Sequence, residues 1–322
     1  MGAEREQAAT PPAELAAWRR GTVDLIEERE LVERLAAGRP LRVKFGMDPS
    51  SPDLHLGHAV QLLKLRRLQE LGHTIVMIVG DATAMVGDPS GRNKLRPQLS
   101  RAEVDANLVT YTEQAARVLD MQRTEVRRNS EWFDPMGFED VLRLASRMTV
   151  ARMVERDTFQ KRMAAAEPIG IHEFLYPLMQ GWDSVMIRCD VETGGTDQLF
   201  NLLVGRDLQR GEGQPGQVCL TLPLINGLDG RKMSKSYNNT IPLFQTEKQL
   251  RKSINKIKTN LLEPGEPKEA DDSTVFQVWS AFASADEIAR MRGEFENGIA
   301  WGEAKKQLFE LVNSEIAPAR ER

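Results

Sequence analysis

The run Thr74-Ile-Val-Met-Ile-Val79 constrains the fold more than any other stretch of this sequence. It is apolar without alternation and too short for a stable helix, which describes a strand buried on both faces. Such a strand needs helices above and below it, and residues 58–71, rich in Leu and Arg, supply one just before it. Upstream, Leu41-Arg-Val-Lys-Phe-Gly46 alternates apolar and polar residues as a strand does. Downstream, the pattern predicts a helix over 171–182, a strand over 185–191, a helix over 197–209 and a strand over 217–221. Repeated strand–helix–strand units predict an α/β fold with a mostly parallel sheet covered by helices.

Around this centre the character changes twice. Residues 1–12 are small and polar and read as a loose tail; 15–35 have helical spacing broken at Gly21-Thr22. Residues 101–160 are mostly helical in pattern. Beyond Ile241, amphipathic helices are predicted over 246–258, 274–283, 285–297 and 302–316, with a polar linker at 262–272. The expected division is 1–38 as tail and helices, 39–240 as the sheet domain with a helical insertion at about 100–170, and 241–322 as an α-helical domain. A chain of 322 residues is long enough for two such units.

Charge and cysteine content narrow the partners. Lys+Arg 43 against Asp+Glu 47 leaves a net charge of −4, so no global basic field points to nucleic acid, although a local patch is compatible with it. Cys189 and Cys219 suit neither a disulfide framework nor a zinc site, and a reducing cytoplasm is expected. No apolar run is long enough to span a bilayer and the N-terminus has no signal-like apolar core, so no membrane partner is expected.

Three motifs carry chemistry. Asp-Leu-His-Leu-Gly-His (53–58) falls between a predicted strand and helix, where helix N–H groups and dipole can hold an anion. A capping loop, or half of a metal site, would present the same residues. Gly-Arg-Lys-Met-Ser-Lys-Ser (230–236) is a cationic loop suited to polyphosphate, or else a solvated basic turn. On the helix 174–183, Tyr176, Gln180 and Asp183 fall at i, i+4 and i+7 and share one face among apolar neighbours. Buried polar groups need partners, which a ligand or one another can supply.

The histidine and lysine motifs, in this order, resemble the paired signature of class I aminoacyl-tRNA synthetases. With Gly-Asp-Pro-Ser-Gly (87–91) and Gly-Gly-Thr-Asp-Gln (194–198), the stretch from about Arg20 to Ser236 closely resembles the tyrosyl-tRNA synthetase family, while the tail also resembles the tryptophanyl relatives. The resemblance implies a Rossmann-like catalytic domain, a dimer-forming helical insertion, and the substrates L-tyrosine, ATP with Mg²⁺, and tRNA(Tyr). It implies a homodimer, and no protein-held metal site. It implies that Asp88, Tyr176 and Gln180 hold the tyrosine ammonium, that Asp183 accepts the phenol O–H, and that Asp48 and Gln198 line the same pocket. Gly57, Gly195 and Asp197 would contact adenosine, and His55, His58, Lys232 and Lys235 the phosphates, with Arg92 and Arg96 closing over pyrophosphate. Lys44 stands where many members place a second phenol partner, a tyrosine. Members usually carry a further small RNA-binding domain after such helices, and the sequence ends at Arg322 without one. Two other readings stay open: a biosynthetic paralogue activating a tyrosine-like or other aromatic amino acid, and a non-catalytic RNA-binding homologue.

Overall fold

The computed structural model describes residues 12–48, 53–89 and 100–322. Among these, six strands form one sheet: β1 (Leu25–Ile26), β2 (Arg42–Met47), β3 (Thr74–Val79), β4 (Thr124–Arg128), β5 (Val191–Gly195) and β6 (Val218–Leu222), ordered β1-β6-β5-β2-β3-β4. Every pairing is parallel except β1 against β6, so the mostly parallel α/β sheet expected from the sequence is present. From β2 the chain winds outward through β3 to β4, then returns to the other side of β2 for β5 and β6. That reversal opens a crevice beyond the carboxyl ends of β2 and β5, the place where open sheets bind ligands.

The apolar run that opened the sequence reading is the core of this sheet: Ile75 to Val79 are all buried. The helix Leu56–Glu70 covers one face with Leu56, Ala59, Val60, Leu62, Leu65 and Leu68. Each fully buried leucine contributes about 2 kcal/mol. The same helix buries Lys64, whose ammonium donates to the carbonyls of Ala17 at 2.8 Å, Trp18 at 2.6 Å and Arg20 at 2.9 Å. A cation there closes the carboxyl end of the helix Pro12–Arg19 and docks it to the helix that begins at the histidines.

The structure corrects the expected elements in three places. Residues 124–128 lie inside the expected helical insertion but form β4; this strand pairs on one side only, and its charges, natural on a sheet edge, read as a helix surface. The strand expected over 185–191 begins instead at Val191. The helix Leu175–Met186 consumes its first residues, and Arg188, at φ 51°, turns the chain. Val185, Ile187 and Cys189 alternate in sequence, yet they are buried against helix and sheet side chains, not as rungs of a strand. Finally, β1 separates the helices Pro12–Arg19 and Glu28–Ala36 where the sequence showed only a helix break.

The tail is helical as expected, with Glu247–Asn255, Thr274–Phe282, Ala285–Glu296 and Trp301–Arg320. Trp279, Phe282, Phe295 and Leu308 share one continuous core with Trp18, Leu31 and Leu62. No helix among the described residues is long and apolar enough to cross a membrane.

Candidate active site

A cleft of about 750 Å³ occupies the crevice beyond β2 and β5. It gathers residues far apart in sequence: Asp48 and Gly195 from strand ends, His55, Gly57 and His58 from a helix start, and Asp88 from the loop after β3. Tyr176, Gln180 and Asp183 enter from one helix face, Asp197 and Gln198 follow β5, and Lys232 and Lys235 close the far side. Arg92 and Arg96 lie outside the described residues.

One end of the cleft is a slot of carboxylates and amides. The Tyr176 hydroxyl donates to Asp48 Oδ2 at 2.6 Å, and Thr83 Oγ1 donates to Asp48 Oδ1 at 2.9 Å. Gln198 Nε2 donates to Asp88 Oδ2 at 3.2 Å, and the buried Arg156 guanidinium lies 3.5 Å from Asp88 Oδ1. Asn201 Nδ2 bridges Gln180 Oε1 at 2.8 Å and Gln198 Oε1 at 3.0 Å. Deepest is Asp183, which takes the Trp132 indole N–H at 3.0 Å. Burial pushes its carboxyl up to about 7, while Lys44 and the Trp132 hydrogen bond pull the other way.

Lys44 is where the structure departs from the site expected. It does not line the cleft: it is fully buried behind the wall, 2.9 Å from Glu192 Oε1, and donates to Ser184 Oγ at 2.8 Å and to the Gln180 carbonyl at 2.6 Å. Lys44 and Glu192 are register partners across the parallel β2–β5 pair, so their side chains meet on one face of the sheet.

Asp48 itself depends on a glycine. A Cβ on Gly80 would sit 2.1 Å from Asp48 Oδ1 and 2.3 Å from Thr83 Oγ1, and neither can retreat without breaking its hydrogen bond. Gly80→Ala is therefore expected to displace Asp48 and to weaken ligand binding in the slot by about tenfold, one hydrogen bond to a charged group, with the fold retained. Circular dichroism alongside equilibrium ligand binding checks it; an unchanged affinity would show that Asp48 is free to move.

The other end gathers two histidines and two lysines, and it carries less charge than the motifs suggest. His55 caps the helix Leu56–Glu70: its Nδ1 accepts from Gly57 N at 3.2 Å, while His58 Nδ1 accepts from His55 N at 3.1 Å. Both Nδ1 atoms being acceptors, each ring carries its proton on Nε2, the atom left to donate to a ligand. Burial, with Lys235 and Lys232 nearby, lowers His55 to about 4; burial and the adjoining His55 also hold His58 well below its ordinary value. The imidazoles are neutral donors at pH 7, and the positive charge at this end belongs to the lysines. The His55 ring lies against the Gly57 backbone, and a Cβ there would meet it at 3.0 Å.

The lysine loop is pinned at several points. Met233 is buried in the core and its N–H donates to Ile225 O at 2.9 Å. Asn239, also buried, accepts from Ser234 N at 2.8 Å and donates to Asp229 Oδ1 at 2.7 Å. Lys232 Nζ lies 2.6 Å from Asp197 Oδ2, and Lys235 is partly buried near Asp53. Beyond the loop the chain pairs with the histidine segment: Leu56 N donates to Ile241 O at 2.9 Å and Leu243 N to Leu54 O at 3.0 Å, with His55 opposite Pro242. A short ladder thus ties the two cationic and imidazole motifs together.

Sequence reasoning missed Trp132, Thr83, Asn201, Arg156, Glu192 and Asn239. For Glu192 a weak signal existed: Lys44 and Glu192 are opposite charges within short stretches that turn out to be neighbouring strands. The rest lie in segments that read as ordinary helix or loop surface.

At the switch point of this doubly wound sheet, an acidic slot shares one cleft with two lysines and two neutral histidines. The sequence pattern of the class I tRNA synthetases for tryptophan and tyrosine matches residues 36–315, and the chain belongs to that family. It is 50% identical over 289 residues to the tyrosine–tRNA ligase of Burkholderia thailandensis, covering 88% of this chain and 67% of that protein. It is 61% identical over 232 residues to the tyrosine–tRNA ligase of Symbiobacterium thermophilum, covering 70% and 57% respectively. The chain thus spans roughly two thirds or less of the relatives' length. The solved tyrosyl-tRNA synthetase of Archaeoglobus fulgidus, in complex with L-tyrosine, shares the fold over 96% of this chain and 98% of that one, at a TM-score of 0.76 and 22% identity.

Proposed function

We propose that the chain is a tyrosine–tRNA ligase, which activates L-tyrosine with ATP and transfers it to the 3′ end of tRNA(Tyr). The observation that carries this reading is a single cleft with a buried carboxylate, Asp183, at one end and Lys232, Lys235, His55 and His58 at the other. In the first step a carboxylate oxygen of tyrosine attacks the α-phosphorus, the bond to the bridging oxygen breaks, and pyrophosphate leaves with that electron pair. No protein nucleophile is needed. The chain supplies position and charge.

In this reading Asp183 accepts the phenol O–H, while Asp88, Tyr176 and Gln180 face the ammonium, with Asp48 and Gln198 beside them. Gly57, Gly195 and Asp197 serve adenosine; Lys232 exchanges Asp197 for phosphate when ATP enters. Arg92 and Arg96 are proposed to close over pyrophosphate. Mg²⁺ would arrive with ATP, because the ion prefers phosphate oxygens and water to protein ligands. The second step passes the tyrosyl group to a ribose hydroxyl of the terminal tRNA adenosine and releases AMP.

The domains proposed are 39–240 for catalysis and 241–322 for a helical unit. The exposed Phe138, Leu142 and Val150 favour a homodimer formed through the region 100–170. The two free, buried cysteines fit a cytoplasmic protein.

The test is exchange of labelled pyrophosphate into ATP across a panel of aromatic amino acids, followed by charging of tRNA(Tyr). Exchange dependent on L-tyrosine, with charging, is the expected result. Exchange with another aromatic amino acid alone, or none with any, overturns the reading.

A further inference from the structure

Behind the tyrosine slot lies an arrangement that the proposed chemistry does not use: a lysine and a glutamate, exposed by 0% and 1%, joined at 2.9 Å across adjacent central strands. Burying such a pair costs desolvation, and replacing it by apolar residues is often neutral or stabilising, so stability alone is a poor reason for it. Its neighbours suggest a better one. Glu192 Oε1 takes the side-chain N–H of Gln180 at 3.1 Å, and Glu192 Oε2 takes the Ser184 hydroxyl at 3.1 Å. Lys44 donates to that same Ser184 hydroxyl and to the Gln180 backbone carbonyl. Ser184 directly follows Asp183, and Gln180 lies one turn before it. Both charges therefore grip the turn of helix that presents the slot's two specificity groups.

We propose that the Lys44–Glu192 pair is a positioning device for tyrosine recognition: it fixes the amide of Gln180 and the helix turn that carries Asp183. The proposal rests on the tyrosine–tRNA ligase reading and goes beyond it. With Nε2 held by Glu192, the Gln180 amide is oriented with Oε1 toward Asn201 and the cleft, an acceptor for an ammonium group. Asp183 feels opposite pulls from the two partners, since the lysine favours its carboxylate and the glutamate opposes it. The other groups facing Asp183 are Trp132 and Asn129, both neutral donors from the segment after β4. Asp48 and Tyr176 lie in the same cleft, and Asp81 with Arg128 at the sheet edge. Lys44 outweighs Glu192 in its effect on Asp183.

The signature of such a device is a pair of opposite pH shifts, which a loss of packing would not produce. A phenol donates to the carboxylate and not to the acid, so kcat/KM for tyrosine is expected to rise with pH up to a limb near 7, the value to which Asp183 is pushed. The limb is measured in pyrophosphate exchange, on the whole protein. Lys44→Met is expected to move it up by about one pH unit or more, and Glu192→Gln to move it down. The double variant buries no unpaired charge and retains the fold where a single one fails; because the lysine has the larger effect, it is expected to move the limb up, by less than Lys44→Met alone. Tyrosine KM rises in Glu192→Gln more than kcat falls. Shifts of the same sign in the two single variants, or a double variant with an unmoved limb, overturn the proposal. An unmutated protein that fails to activate tyrosine overturns the ligase reading instead, so the two failures are distinguishable.

Discussion

Lys235→Ala is expected to lower kcat for adenylate formation by about 10²–10³-fold, the typical loss on removing one preorganised donor from developing charge. Tyrosine affinity should stay within about twofold, because the lysine lies at the opposite end of the cleft from the aromatic slot. The size of the effect follows from the neutrality of the histidines. With His55 held near 4 and His58 well below its ordinary value, neither imidazole supplies the missing positive charge at pH 7. Relief of the Lys235 charge raises both histidines only partway, since burial is the larger cause. Single-turnover activation kinetics with equilibrium tyrosine binding separates the two quantities. A variant that activates at the original rate, or that loses tyrosine binding in equal measure, would remove Lys235 from the phosphate end.

The second large effect concerns selectivity. Asp183→Asn keeps the shape of the side chain and an acceptor for the Trp132 indole, but it replaces a charged partner for the phenol by a neutral amide. A hydrogen bond to a charged group is worth about 1.5–3 kcal/mol, so the preference for tyrosine over phenylalanine should fall by about one to two orders of magnitude. The loss should fall on kcat/KM for tyrosine, while phenylalanine gains, because its ring no longer meets a desolvated carboxylate. The acidic limb near pH 7 should vanish in the same variant. Ratios of kcat/KM for the two amino acids in pyrophosphate exchange, taken from pH 6 to 8, check both points. An unaltered ratio would mean that Asp183 does not meet the phenol.

The sheet and the slot were legible in the sequence to different depths, for physical reasons. β3 announced itself because a strand buried on both faces has no alternative to an unbroken apolar run. The stripe Tyr176, Gln180, Asp183 was legible because helical spacing alone places those residues on one face. β4 was hidden, because an edge strand with one neighbour carries charges that a helix surface also carries. The pinning of the lysine loop by Asn239 was hidden too: it depends on a single buried amide meeting a backbone turn, and no periodicity records that. Lys44 was noticed for the residue it replaces, yet its place behind the wall follows from a cross-strand partner nearly 150 residues away. Register, and not spacing, decides such a contact.

The ladder between residues 54–56 and 241–243 has a consequence for how this protein tolerates change in chain length. It closes residues 225–241 into a bight of fixed circumference, fastened at one mouth by Ile225 and at the other beside His55. Loss or gain of one residue in that bight would either slip the ladder, turning Leu243 out of the core, or drag Lys235 off its station opposite the imidazoles. Indels elsewhere on the surface should be forgiven, but here the chain behaves as a measured cord.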